Sequence, residues 1–112
     1  MKITKLIAVF AALSFILCAA PASAQSGLSN FAEIQSLNPS GTGLRVTGPA
    51  GNPAGCTNDN LLFLPRSNDS YTEFYAALLT ALAAGQEVRF FLVGCVNTGS
   101  LSVPEIRGVE LR

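Results

Sequence analysis

Three cysteines carry the most reactive side chains in this 112-residue chain, which contains no histidine. Histidine is the commonest general base and metal ligand, so the usual starting point for catalysis is missing. Cys18 lies in an apolar stretch near the N-terminus, whereas Cys56 and Cys95 lie in the more polar remainder. Which reactions these thiols can undergo depends on whether Cys18 belongs to the folded protein.

The N-terminal segment has the pattern of a secretory signal peptide. Two lysines precede an apolar run from Leu6 to Ala20, and the triplet Ala22-Ser23-Ala24 follows with small residues at its first and third positions. This is the charge, apolar and cleavage-site pattern of an export signal, and the run is too short to span a bilayer comfortably. We expect cleavage between Ala24 and Gln25, which leaves one small domain over residues 25–112. The product would be a secreted or periplasmic protein with no membrane span.

A lipoprotein signal is the alternative interpretation of the same segment. It would make Cys18 the lipidated residue, but it requires a small residue directly before the cysteine, where this chain has Leu17. Without the signal only Cys56 and Cys95 remain, and an even count in a small secreted domain predicts a disulfide bond. Such a bond would stabilise the domain by roughly 4 kcal/mol. A redox-active pair is the other possibility, but the C-x-x-C spacing of such pairs is absent.

The charged residues exclude several classes of function. Removal of Lys2 and Lys5 from the seven basic residues leaves five arginines against seven acidic residues, with no basic cluster for a nucleic-acid backbone. Asn58-Asp59-Asn60 could offer oxygen ligands to calcium, but it supplies one carboxylate and lacks the EF-hand spacing. We therefore expect a non-enzymatic protein with no catalytic residue, no cofactor, no metal and no nucleic-acid partner.

Apolar runs and turn-forming residues divide residues 25–112 into five strands and one helix. Residues 25–30 are polar and expected to be loose, and residues 96–103 are expected to form a loop. The first two strands are expected to form a hairpin. The predicted strands are Phe31–Leu37, Leu44–Thr47, Leu61–Leu64, Val88–Val93 and Pro104–Arg112.

One helix is predicted between the third and fourth strands, from Tyr71 to Ala84. Ser70 and Glu73 have the spacing of a capping box at its start, and Gly85 is a typical left-handed stop. Bulky residues recur at helical spacing, and the ones that we expect to be buried are Phe74, Leu78 and Leu82. The opposite stripe of small residues is expected to face outward, as an ordinary exposed surface or as a contact face in a homo-oligomer: Thr72, Ala76, Thr80 and Ala83.

The order of three strands, a helix and two strands is that of the OB-fold. We therefore predict a mainly β domain built as a five-stranded Greek-key barrel, with the helix between strands three and four. The alternative is an open α+β sheet with the helix packed on one face.

The segment from Cys56 to Val93 resembles the OB-fold B subunit of subtilase cytotoxin and, more remotely, the binding subunits of pertussis toxin. The resemblance is carried by Cys56, the apolar strand, the helix start at Ser70, Tyr75 and the stretch Gly85-Gln86-Glu87-Val88-Arg89. It implies a secreted bacterial protein that binds glycans and forms a pentameric ring, with the helices lining a central pore. No residue in the N-terminal part matches the family's sugar-contacting residues, so none is carried over.

The sequence thus predicts a secreted, non-catalytic binding module whose partner is a glycan or another secreted protein. Two alternatives remain: an extracytoplasmic structural or accessory protein that pairs with a larger partner, and a small secreted inhibitor that presents residues 48–55. A carbohydrate-binding site should place an aromatic side chain beside convergent polar groups. An inhibitor should instead display a rigid exposed loop near the disulfide.

Overall fold

The computed structural model describes residues 25–58 and 60–112. The predicted signal peptide, with its cleavage site after Ala24 and the alternative lipid site at Cys18, lies outside the described residues. The carboxylate of the possible calcium site, Asp59, also lies outside them. Within the described ranges, no helix has both the length and the apolar character needed to cross a membrane.

Seven strands and one helix make up the described chain, which is therefore mainly β as predicted. In chain order they are β1 (Ser26–Leu28), β2 (Ala32–Glu33), β3 (Ser36–Pro39), β4 (Gly43–Thr47), β5 (Leu62–Pro65), α1 (Tyr71–Ala84), β6 (Glu87–Thr98) and β7 (Leu101–Leu111). The strands are hydrogen-bonded in the order β1-β6-β7-β5-β4-β3, and β2 also pairs with β6. The β5–β7 pair is parallel and the others are antiparallel.

The structure has seven strands where the sequence predicts five, because the N-terminal part is more divided and more ordered than expected. The first predicted strand bends at Ile34, a buried core residue, so β2 pairs with β6 while β3 forms the predicted hairpin with β4. Residues 26–28, expected to be loose, instead form β1 beside β6. The buried hydroxyl of Ser29 helps to hold this segment, since it accepts a hydrogen bond from the Phe90 N–H at 2.8 Å. The strands at the two ends of the path, β1 and β3, do not pair with each other.

The predicted loop at residues 96–103 is wrong. β6 and β7 continue as one long hairpin, with Thr98 paired to Leu101 across a two-residue turn. Gly99 takes a φ of 73° in this turn, a value that glycine adopts without steric cost. Val96 pairs with Val103, which is fully buried, so the segment has an apolar anchor that its polar neighbours obscure in the sequence. We call residues 96–103 the hairpin arm.

A bulge beside Gly108 adjusts the inner face of β7. Phe91 pairs with Gly108 but the next residue, Leu92, pairs with Ile106, so β7 has one extra residue at this point. Val109 lies opposite Phe90 on the same face as Ile106. The bulge therefore keeps both apolar residues of β7 toward the core.

The helix has the predicted boundaries, but its first turn is capped differently. Gly85 ends it in the left-handed conformation, with a φ of 66°. The capping box of Ser70 and Glu73 is wrong, because the Ser70 side chain makes no capping hydrogen bond. Asn68 takes that place: its Oδ1 accepts from the Ser70 N–H at 2.8 Å, and its carbonyl accepts from the Tyr71 N–H at 3.0 Å. The Asn68 side chain thus occupies the Ser70 N–H, the donor that the Glu73 side chain would use in a capping box.

The core lies between α1 and the inner faces of the strands. Leu78 is fully buried as predicted and Phe74 is half-buried, but Leu82 is 39% exposed, so its predicted burial is wrong. In the last turn of the helix Ala81, rather than Leu82, is buried in the core, because its small side chain lets this turn approach the sheet. The other core residues come from the strands and, for Ile34, from the short connection between β2 and β3: Ile34, Leu44, Val46, Leu62, Leu64, Val88, Phe90, Leu92 and Ile106.

Candidate functional site

The predicted disulfide joins Cys56 to Cys95, with their α carbons 5.8 Å apart. The strand that the sequence predicts to end at Val93 continues past the disulfide, so Cys95 lies within β6, directly after Gly94, which has a φ of 64°. The pairing register shifts between Leu92 and Cys95, so the strand is irregular where the bond attaches. The disulfide therefore connects the loop before β5 to the base of the hairpin arm.

Hydrogen bonds between Thr57 and Ser102 provide a second attachment for the arm, in addition to the disulfide. The Thr57 N–H donates to the Ser102 hydroxyl at 3.0 Å, and the Ser102 N–H donates to the Thr57 hydroxyl at 2.7 Å. The Asn58 N–H also donates to the Ser102 carbonyl at 2.9 Å. The loop thus runs along the start of β7 and fixes the position of the arm.

A groove of about 450 Å³ lies between the hairpin arm and the outer face of β4 and β5. The arm forms one wall, and the two strands with the turn before β4 form the other. The lining residues are Thr42, Arg45, Phe63, Val96, Asn97, Thr98 and Gly99. One aromatic side chain therefore shares the lining with several polar side chains.

Phe63 supplies the apolar floor of this groove. It is only 4% exposed, yet it does not belong to the core cluster that contains its neighbours Leu62 and Leu64. Alternation along β5 places its ring on the opposite face of the sheet. The ring lies against Gly43, where a Cβ atom would come within 2.6 Å of the ring atom Cζ. A glycine at this position is therefore required by the packing of the ring.

Arg45 is the cation of the groove. It lies directly opposite Phe63 in the β4–β5 ladder and is exposed. Three other arginines, at positions 89, 107 and 112, form ion pairs with glutamates, whereas Arg45 forms none with any described residue. Its guanidinium therefore keeps its donors for solvent or a ligand.

The arm contributes uncommitted polar groups. Asn97 is exposed, and its side-chain amide forms no hydrogen bond within the described part of the chain. The Thr98 hydroxyl donates only a long hydrogen bond, 3.4 Å, to the Leu101 carbonyl. The amide and the hydroxyl can thus donate to and accept from a bound polar molecule without breaking strong internal bonds.

A second groove, of about 320 Å³, is lined by polar residues and has no aromatic side chain. It lies between the loop before α1 and β7, and an ion pair between Glu105 and Arg107 spans part of it. The described residues contain no cluster of three or more histidine, cysteine or acidic side chains that could hold a metal. The first groove is the better candidate for a ligand site, because it combines an aromatic side chain with a cation that has no acidic partner among the described residues. The lining residues of the second are Pro65, Ser67, Asn68, Asp69, Glu105 and Arg107.

The predicted outward stripe of the helix lies away from both grooves. All four of its small residues are exposed, and Leu79 beside them is 49% exposed. The Thr80 hydroxyl donates to the Ala76 carbonyl at 3.0 Å, so this hydroxyl is used within the helix. The stripe is an exposed surface of small side chains: Thr72, Ala76, Thr80 and Ala83.

The loop at residues 48–55 is held against the fold rather than displayed. The Asn52 side chain accepts from the Cys56 N–H at 2.7 Å and donates to the Cys56 carbonyl at 2.9 Å. Asn30 fixes the other side of the loop, accepting from the Ala50 N–H at 2.8 Å. Most of the loop is half-buried, and Pro49 is buried. An inhibitory loop would have to project further.

A further exposed surface lies on the outer face of β1 and β6. Leu28 and Phe91 are opposite each other and are 55% and 42% exposed. Beside them the Phe31 ring is contacted by Arg89 and Arg112, with guanidinium carbons 4.5 and 4.4 Å from the ring centroid. Both arginines are also paired with glutamates, so this surface has little net charge.

The sequence does not reveal the groove, because the residues of its two walls are far apart along the chain. Alternation in Leu44–Thr47 does place Arg45 on the outer face. The sequence predicts a loop for the other wall, so nothing in it indicates a groove beside Phe63. A comparison with known proteins adds no further candidate, since no family model, curated protein or solved structure matches the chain.

Proposed function

We propose that the protein is an exported, non-catalytic binding module that takes a short saccharide in the groove beside the hairpin arm. The observation that carries this proposal is the pairing of Phe63, an apolar floor, with Arg45, a cation that has no acidic partner among the described residues. Ligand sites combine an apolar surface with a few polar groups that fix orientation. The amide of Asn97 and the hydroxyls of Thr42 and Thr98 supply those groups.

The charge of Arg45 favours a saccharide that carries a carboxylate. A guanidinium forms two parallel hydrogen bonds with a carboxylate, and such bonds are shorter and stronger than those between neutral groups. The groove has room for one or two sugar rings rather than a long chain. A neutral sugar could use the same floor and amide but would leave the guanidinium without a partner.

Export is the second part of the proposal, with cleavage after Ala24 and a secreted or periplasmic location. The disulfide supports it, because such bonds persist in oxidising compartments and are rare in the cytosol. The bond also lies at the base of the arm, so an oxidising compartment would preserve the groove.

The fold in this proposal is an OB-fold barrel in which β2 and β3 act as one bent strand. Only Ile34 and Gln35 separate these two strands. β2 pairs with β6 and β3 pairs with β4, near opposite ends of the hydrogen-bonded path. The parallel β5–β7 pair and the position of α1 between β5 and β6 support the same topology. These features agree with the resemblance to toxin B subunits. A ring formed through the exposed stripe of α1 belongs to the same proposal.

An accessory protein that docks on a larger partner is the second candidate. Leu28 and Phe91 favour it, because two large apolar side chains lie side by side and exposed, with the Phe31 ring beside them. Docking there would be independent of the groove. If substitution of Phe91 abolished binding to a protein partner and substitution of Arg45 did not, this candidate would be favoured.

An array of neutral and carboxylate-bearing oligosaccharides tests the main proposal. The mature protein should bind carboxylate-bearing members, and Arg45→Gln should lose most of that binding. Arg107→Gln is the matched control, since it removes the same charge from an exposed site outside the groove. Equal binding by both variants, or no binding by the wild type, would contradict the proposal.

A further inference from the structure

Gln25 becomes the N-terminal residue if the export signal is cleaved after Ala24, so the inference below rests on that part of the proposed function. An N-terminal glutamine carries a nucleophilic α-amine and a carboxamide at the spacing of a five-membered ring. We propose that Gln25 is a modification site, converted to pyroglutamate after export.

The fold leaves both reacting groups of Gln25 free. The residue is exposed and precedes β1, which begins at Ser26. Its carbonyl accepts a hydrogen bond from the Gly94 N–H at 3.0 Å. Neither its backbone nitrogen nor its side-chain amide bonds to any described residue. The interaction that holds the terminus on β6 therefore uses an atom that the reaction does not touch.

The reaction needs no oxidant, reductant or co-reactant. The neutral α-amine attacks the side-chain carbon Cδ, so that an N–Cδ bond forms and the bond from Cδ to Nε2 breaks. One proton passes from the attacking nitrogen to Nε2, which leaves as ammonia. The product is a neutral lactam that retains the Gln25 carbonyl.

The modification would have two consequences for the terminus. It removes the positive charge of the α-amine, which a covalent change at a chain end can do without altering the fold. It also protects β1 from aminopeptidases, because the lactam presents no free amine. The pairing of Ser26 with Val93 should persist, since the carbonyl bond to Gly94 remains.

Intact-mass measurement of the exported protein tests this assignment. The full-length gene product is expressed with its own signal, collected outside the cytoplasm and stored for several days. The expected species is the chain from Gln25 to Arg112 with its disulfide and with one ammonia lost, resistant to stepwise N-terminal degradation. Treatment with a pyroglutamyl peptidase should then expose Ser26 as the new terminus.

Gln25→Asn is the matched control, because its carboxamide is one methylene shorter and would have to close a strained four-membered ring. This variant should keep a free α-amine and remain open to stepwise N-terminal degradation under the same conditions. A wild-type terminus that begins at Gln25 with a free amine after storage overturns the modification alone. A terminus at any other residue overturns both the modification and the proposed cleavage, while saccharide binding is measured separately.

Discussion

Arg45 and Phe63 lie directly opposite each other on neighbouring antiparallel strands, so their side chains project from the same outer face of the sheet. That face would be open to solvent if the chain ended its hairpin at Cys95. The hairpin arm borders this face across the groove, where Phe63 is 4% exposed and Arg45 is exposed. The groove is thus a product of the long β6–β7 hairpin and of the bonds that hold its arm.

Gly43→Ala should distort the groove by displacing the Phe63 ring. The new methyl group would meet the Phe63 ring and the backbone carbonyl oxygen of Leu64, and the carbonyl cannot move without breaking the ladder. We expect a loss of about 1–3 kcal/mol in the free energy of unfolding, measured by urea denaturation. Gly41→Ala in the adjacent turn is the control, because no atom lies within 4 Å of its added methyl. Similar stability of the two variants would contradict the packing described for Phe63.

Leu78→Ala should be the most damaging truncation on the helix. Leu78 is fully buried in the core, and removal of such a side chain typically costs about 2–5 kcal/mol. Leu79→Ala serves as the control because Leu79 is 49% exposed. Leu82→Ala should also be mild, in line with its exposure and against its predicted burial. If Leu82→Ala greatly lowered the melting temperature in thermal denaturation, Leu82 would be buried, as the sequence predicts.

Replacement of both Cys56 and Cys95 by serine should remove roughly 4 kcal/mol of stability through the entropy of the unfolded chain. The loss should appear as a lower urea midpoint. Hydrogen exchange should also become faster in residues 96–103, because the disulfide holds the base of the arm. Unchanged exchange there would mean that the hydrogen bonds between Thr57 and Ser102 suffice to hold it.

Ala76→Arg separates a monomer from a ring. In a monomer the substitution should be nearly silent, because arginine is a good helix former and position 76 is exposed. In a ring it should shift the protein to the monomer on a sizing column while circular dichroism stays unchanged. Elution of the wild type as a monomer across micromolar concentrations would end the ring proposal without affecting the groove.

The sequence predicts the local features well where one physical cause dominates. The disulfide follows from the number of cysteines, the end of the helix from Gly85, and the burial of Leu78 from helical spacing. Competing local interactions explain one error: the Asn68 side chain accepts from the Ser70 N–H in place of the Glu73 side chain. Nothing in the apolar pattern distinguishes the two.

Long-range contacts explain the remaining differences. The hairpin arm has few apolar residues, and its stability depends on Val103 and on bonds to Thr57, which is distant in sequence. The division of the first strand depends on which partner each half finds across the sheet. The groove depends on both, so its residues could not be brought together from spacing alone.

The most direct test of the central claim is a nuclear magnetic resonance titration of the mature protein with the strongest binder from the oligosaccharide array. The proposed site predicts that saturable amide shifts concentrate at Thr42, Asn97 and Thr98 and are lost in Arg45→Gln but not in Arg107→Gln. Saturable shifts confined to the helix stripe or to the surface around Leu28 and Phe91, with the groove amides unmoved, would contradict it.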